Sequence, residues 1–171
     1  PQTASEATVL FDDITLKPVK DADLRDLGIH ITPRLPLDVT ALDKTTAITH
    51  LPERVVLCAD RTAVSFDRTS GEIANVIDIP TQREFIAAHC PSPLFRLVLQ
   101  SRGDGKRRLI TSRDFRQVDI GTMPTGGLRV SFSDLRHSPI HATVEATVQT
   151  NEAIALRFRL SGLDDVIVPE I

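Results

Sequence analysis

The chain's clearest signal is a two-residue rhythm in its last third. Ile140, Ala142, Val144, Ala146 and Val148 alternate with His141, Thr143, Glu145, Thr147 and Gln149. Thr150-Asn151-Glu152 then turns the chain, and Ile154, Leu156, Phe158 and Leu160 alternate with Ala155, Arg157, Arg159 and Ser161. Successive side chains of a strand point to opposite faces, so each run predicts a strand with one face in a core and one in water. A slip of one residue would turn the whole apolar set outward, which holds the register firm. Leu128, Val130 and Phe132, interleaved with Arg129, Ser131 and Ser133, carry the same rhythm.

The stretch from Arg54 to Phe85 predicts the start of the sandwich. Val64 and Phe66 alternate with Ser65 and Asp67, giving one apolar and one polar face. Asp67-Arg68-Thr69-Ser70-Gly71 supplies turn residues, with Gly71 able to take a positive φ. Ile73, Val76, Ile77 and Ile79 return the chain antiparallel, and the hairpin's apolar side requires a facing sheet. Pro93 to Gln100 is apolar at consecutive positions (Leu94, Phe95, Leu97, Val98, Leu99), which predicts a strand buried between layers. Ser101 to Lys106 is a loop whose Asp104-Gly105 is a hairpin signal. Arg107 to Thr111 and Phe115 to Ile120 predict two short strands, and Gly121 to Gly127 a second turn cluster. Short turns without a long helical pattern predict an all-β fold, an antiparallel two-layer β-sandwich over residues 51–171.

Upstream the character changes. Ala7 to Val19 predicts one strand, with Phe11, Ile14 and Leu16 as core contacts and Pro18 ending it. A lone strand is unstable, so it either closes a domain whose earlier strands are missing or pairs with the sandwich downstream. Lys20 to His50 reads as a linker: a short helical turn from Asp21 to Gly28, then Pro33 and Pro36, taken as a stiff connector. The expected division is therefore 1–19, 20–50 and 51–171. The ending at Ile171 and the start at Pro1 read as a piece of something longer.

Charge narrows the partners. The net charge of −3 lacks the concentrated basic surface that nucleic acid requires. No apolar run is long enough to span a bilayer as a helix. Cys58 and Cys90 are too few for a disulfide framework and read as small buried hydrophobes, or as one bridge in an exported protein. Trp and Tyr, the usual platforms for stacking sugars, are both absent.

Reactive constellations are sparse. The pairs Asp12-Asp13 and Asp164-Asp165 place neighbouring carboxyls on opposite strand faces, so neither forms the facing pair that glycoside hydrolysis needs. Asp13 offers an oxygen ligand for a structural calcium, the one cofactor considered, but a pair is not a coordination set. His137 and His141 fall about 13 Å apart along a strand, too far to share a zinc ion. His89-Cys90 has the residue types of a nucleophile pair but no orienting acid. Ser70-Gly71 and Ser161-Gly162 lack the context of a nucleophile elbow, and Gly103 and Gly105 do not open a helix as a phosphate loop does. Lys106-Arg107-Arg108 is a solvated hairpin end, or a contact for acidic glycans. No catalytic or metal residue is assigned.

Two stretches carry a family resemblance. Val64-Ser65-Phe66-Asp67-Arg68-Thr69-Ser70-Gly71-Glu72-Ile73, Asp78, Arg83-Glu84-Phe85-Ile86 and Pro93-Leu94-Phe95-Arg96-Leu97, followed by Gly126 to Phe132 and the 140–160 hairpin, resemble the first part of the galactose-mutarotase-like supersandwich domains. Phe11 to Pro18 resembles the last strand of a jelly-roll carbohydrate-binding module. That order implies a secreted or periplasmic multi-domain glycoside hydrolase, with this chain as a non-catalytic module bracing the catalytic barrel. The implied partners are the remaining domains of that protein and a poly- or oligosaccharide. A stand-alone sugar-binding or adhesion module, a piece of a polysaccharide lyase, and a mutarotase-like enzyme are the alternatives. His89, His137 and His141 match no mutarotase motif, which speaks against the last.

Overall fold

The computed structural model describes residues 37–42, 47–86, 93–136, 138–150 and 153–170, with backbone alone at Ala41 and Glu170. The expected strand at 7–19, His89, Cys90 and His137 lie outside the described residues.

The fold is all-β and antiparallel throughout, with no α-helix among the described residues. β1 (Ile48–His50), β2 (Arg54–Cys58), β3 (Thr62–Asp67), β4 (Ile73–Asp78) and β5 (Arg83–Glu84) form a five-stranded meander. β8 (Phe115–Thr122), β9 (Leu128–Leu135), β10 (His141–Val148) and β11 (Ile154–Ser161) form a four-stranded meander. β6 (Arg96–Ser101) sits between β7 (Arg107–Thr111) and β12 (Val166–Glu170) in a three-stranded sheet. Two single 3-10 turns, η1 (Val39–Ala41) and η2 (Ser112–Asp114), are the remaining elements among the described residues.

The alternation in the last third produces the expected register. Val144 stands opposite Phe158 on one side and Val130 on the other, and Ala142 opposite Leu160 and Phe132. These side chains join one core with Val55, Leu57, Val64 and Phe66 of the five-stranded sheet and Leu97, Leu99 and Ile110 of the three-stranded sheet. Phe95 is the hinge of this core, with ring centroids 5.1 Å from Phe132, 5.9 Å from Phe115 and 4.8 Å from Phe158. Rings meeting at an edge or a tilt suit the aromatic quadrupole.

Two departures from strict alternation are visible in the backbone. The β3–β4 ladder shifts between Ser65 and Phe66, so that Ile73 returns to the face of Val76. Asp134 takes φ +58, and the β8–β9 ladder passes over it, which brings Leu135 back to the core three positions after Phe132. In the β3–β4 ladder an added residue re-aims the side chains that follow it, as a bulge does; at Asp134 the β8–β9 register is unchanged, and the left-handed backbone alone turns the chain.

The five-stranded sheet differs from the one-sided strand expected at Val64–Asp67. Its second face is also covered: Val56, Ala63 and Ile77 pack with Val39 and Leu42 in a second apolar cluster. The covering residues belong to the stretch read as a linker, and β1 within that stretch pairs with β2. Ser65, read as solvent-facing, is therefore buried. β6 departs in the opposite sense. Leu97 and Leu99 enter the core, but Arg96 is exposed and Val98 only half-buried, so one face alone is covered.

One ion pair ties separate elements together. Glu72, buried in the β3–β4 connection, accepts from Arg113 of η2, with Nη2 3.1 Å from Oε2 and Nε on Oε1. The hydrogen bond to Glu72 raises the Arg113 guanidinium further, against the opposing effect of burial. Arg113→Met removes this guanidinium from a buried carboxylate. The expected cost in urea unfolding is about 1–3 kcal/mol, below that of a fully buried pair because Arg113 is half exposed and water replaces it.

Candidate functional site

Among the described residues, polar side chains are taken up in structural pairs and one apolar sheet face is left exposed. On the second face of the five-stranded sheet, the Ser65 hydroxyl donates to Asn75 Oδ1 at 2.7 Å. Arg54 Nη1 donates to the same oxygen at 2.8 Å, and Asn75 Nδ2 donates to Glu84 Oε2 at 2.8 Å. An amide oxygen is no base, so Ser65 gains no activation there; the network satisfies polar atoms that burial would otherwise orphan. Glu84 also accepts from the Val76 and Ile86 backbone amides. Glu145 accepts from Arg129 at 2.9 Å and lies 3.6 Å from Arg159, and Asp78 lies 3.8 Å from Arg61.

The residues singled out from sequence are dispersed. Asp164 and Asp165 lie exposed in the turn before β12, where the Asp165 carbonyl accepts from the Arg102 amide at 2.9 Å. His141 is exposed at the start of β10, opposite Ser161. Ser70 serves its own turn, donating from Oγ to Asp67 Oδ1 at 3.0 Å. Gly105, at φ +68, closes the β6–β7 hairpin, and Gly103 lies in the same loop. Lys106 pairs with Asp104 at 3.0 Å, and that contact holds the Asp104 carboxyl below its ordinary range. Cys58 ends β2 half-buried, and burial pushes its thiol up, away from a reactive thiolate. Among the described residues no three His, Cys, Asp or Glu side chains gather as a metal-binding group, and no helix is long and apolar enough to cross a membrane.

The uncovered face is the outer side of the three-stranded sheet. Val98 stands opposite Leu109, and Gln100 lies between Ile167 and Arg107. These residues share a face because they are opposite or two apart on paired strands. Leu109 is 62% exposed and Ile167 45%, with Val98 half-buried between them. Arg107 and Arg96 flank this stripe as exposed charges, and Arg96 pairs across to Thr111. Asp104, Asp164 and Asp165 lie in the turns at one end of the sheet. An apolar strip between two guanidinium groups is the chemistry of a protein contact, with an anchor to bury and rim charges to orient the partner.

Sequence reasoning missed this stripe. Its signal was present: in Leu109-Ile110 and in Val166-Ile167-Val168, neighbouring apolar residues on a strand cannot all enter one core. Of the basic run, Arg107 alone lies on this face, while Arg108 pairs with Leu99 on the opposite one. Comparison of the chain with family models, with curated proteins and with solved structures finds no match.

Proposed function

We propose that the chain is a supporting β-sandwich module of a secreted multi-domain glycoside hydrolase, bracing the catalytic domain and lending a wall to the glycan cleft. The observation that carries the bracing role is the Val98–Leu109–Ile167 stripe between Arg96 and Arg107. A sheet face built this way gains free energy by covering its apolar centre, about 1.5–3 kcal/mol for each large side chain fully buried. The hydrolase setting rests on the resemblance of the 64–97 and 126–160 stretches to supersandwich domains.

The test is titration of the chain against the domain encoded beside it in the same reading frame, followed by calorimetry. Leu109→Asp weakens that association by at least tenfold, equivalent to about 1.4 kcal/mol, and leaves the melting temperature of the isolated chain unchanged. Unaltered association in this variant removes the stripe as the contact. Glycoside turnover by the isolated chain overturns the supporting role itself.

A further inference from the structure

We propose that the Asp104–Gly105 peptide is a spontaneous isomerisation site whose rate the folded hairpin sets, with the Lys106 ammonium as the group that keeps it slow. This inference is independent of the bracing role and concerns only the turn between β6 and β7.

The chain contains one Asp-Gly and no Asn-Gly. Glycine has no side chain to shield its amide nitrogen, so an aspartate before it is the one most open to attack by its own backbone. Asp104 and Gly105 are both exposed at the tip of the hairpin, where water reaches the reacting groups. The reaction needs no other reagent. The Gly105 nitrogen attacks Asp104 Cγ, and an N–Cγ bond forms. The amide proton and the carboxyl hydroxyl leave as water, which closes a cyclic succinimide. Water then adds back. Cleavage of the new N–Cγ bond returns aspartate, whereas cleavage between the nitrogen and the main-chain carbonyl carbon gives isoaspartate, of the same mass.

The turn opposes each step. The Gly105 N–H donates to the Ser101 carbonyl at 3.1 Å, so the nitrogen is held with its proton. The Asp104 carboxylate reaches past Gly105 instead of lying against it: Oδ1 accepts from the Lys106 amide at 3.1 Å, and Oδ2 lies 3.0 Å from Lys106 Nζ. Only a neutral carboxyl has a hydroxyl to lose, and the bond from the Lys106 side chain favours the ionised form. Both members of that ion pair face water, which weakens it, so the site is slowed and not closed.

Isoaspartate adds one carbon to the main chain inside this turn. The Ser101 amide donates to the Lys106 carbonyl at 3.0 Å, beside the Gln100–Arg107 pair, and a lengthened turn cannot keep that closure. Ageing at Asp104 therefore frays the end of the three-stranded sheet.

The full chain is incubated at neutral pH, digested, and the Asp104 peptide separated by chromatography from its isomer of equal mass. The folded wild type is expected to accumulate isoaspartate about tenfold or more slowly than the same chain held unfolded in guanidinium chloride. Lys106→Ala, with its melting temperature unchanged, speeds the folded chain about threefold or more, and Lys106→Arg returns the wild-type rate. Equal rates in the folded and unfolded wild type overturn the control by the hairpin. A wild-type rate in folded Lys106→Ala overturns the role of the ammonium, and an unfolded chain that forms no isoaspartate at Asp104 removes the site.

Discussion

Replacing Phe132 by alanine lowers the free energy of unfolding by about 3–5 kcal/mol, among the largest losses expected for a single core position. Phe132 is 1% exposed and lies in β9, where its ring meets Phe95 at 5.1 Å and Phe115 at 6.0 Å. It therefore fills the space where the three-stranded and four-stranded sheets share one core. Truncation removes both ring contacts and leaves a void lined by rigid strands that cannot collapse into it. For a chain of this size, at about 2–4 °C per kcal/mol, the melting temperature falls by roughly 6–20 °C. Thermal unfolding followed by circular dichroism measures this, and a fall of under 3 °C contradicts the packing described. Phe85→Ala, at an exposed ring beside Arg83, is the matching control and changes little.

Gly71→Ala is expected to cost about 2–5 kcal/mol from two additive sources. Gly71 takes φ +69 in the β3–β4 turn, where alanine pays about 1–2 kcal/mol in backbone strain. A Cβ there also meets Phe132 Cζ and Val130 Cγ1 at 2.8 Å and Val118 Cγ1 at 2.9 Å, all on the inner face of the four-stranded sheet. Overpacking a filled core adds about 1–3 kcal/mol. The five-stranded and four-stranded sheets thus meet through a glycine, and one methyl group pushes them apart. Gly126→Ala isolates the backbone part, since Gly126 has φ +82 but open space around it. Chemical denaturation of the two variants side by side should show the larger loss at Gly71. Equal losses would mean that the close approach does not matter.

Local chemistry made much of this fold legible. The 140–161 hairpin follows from its alternation alone, because a period of two admits one register when one face is apolar. The turn at Asp67–Gly71 follows from its residues: Asp67 Oδ1 accepts from the amides of Thr69 and Ser70, and Gly71 takes the positive φ. The β6–β7 hairpin follows likewise from Asp104-Gly105. Long-range cover was not legible. Ser65 and Asn75 look solvent-facing until residues 37–42 are laid over their sheet. Val98 looks buried beside Leu97 and Leu99 until β6 proves to have only one covered face. The stripe is invisible for the same reason, since Ile167 joins it only through the pairing of β12 with β6.

That pairing also sets an order of events during synthesis. The β8–β11 meander zips up strand by strand, each one meeting its predecessor as it leaves the ribosome. β6 and β7 have no such convenience, for their third strand lies beyond the whole meander. For several seconds of translation, at about 5–20 residues per second, the Ser101 side of β6 is bare backbone beside a half-built core. Nascent molecules are therefore most vulnerable to sticking together in that interval, and chaperone capture should peak just before Val166–Glu170 emerges.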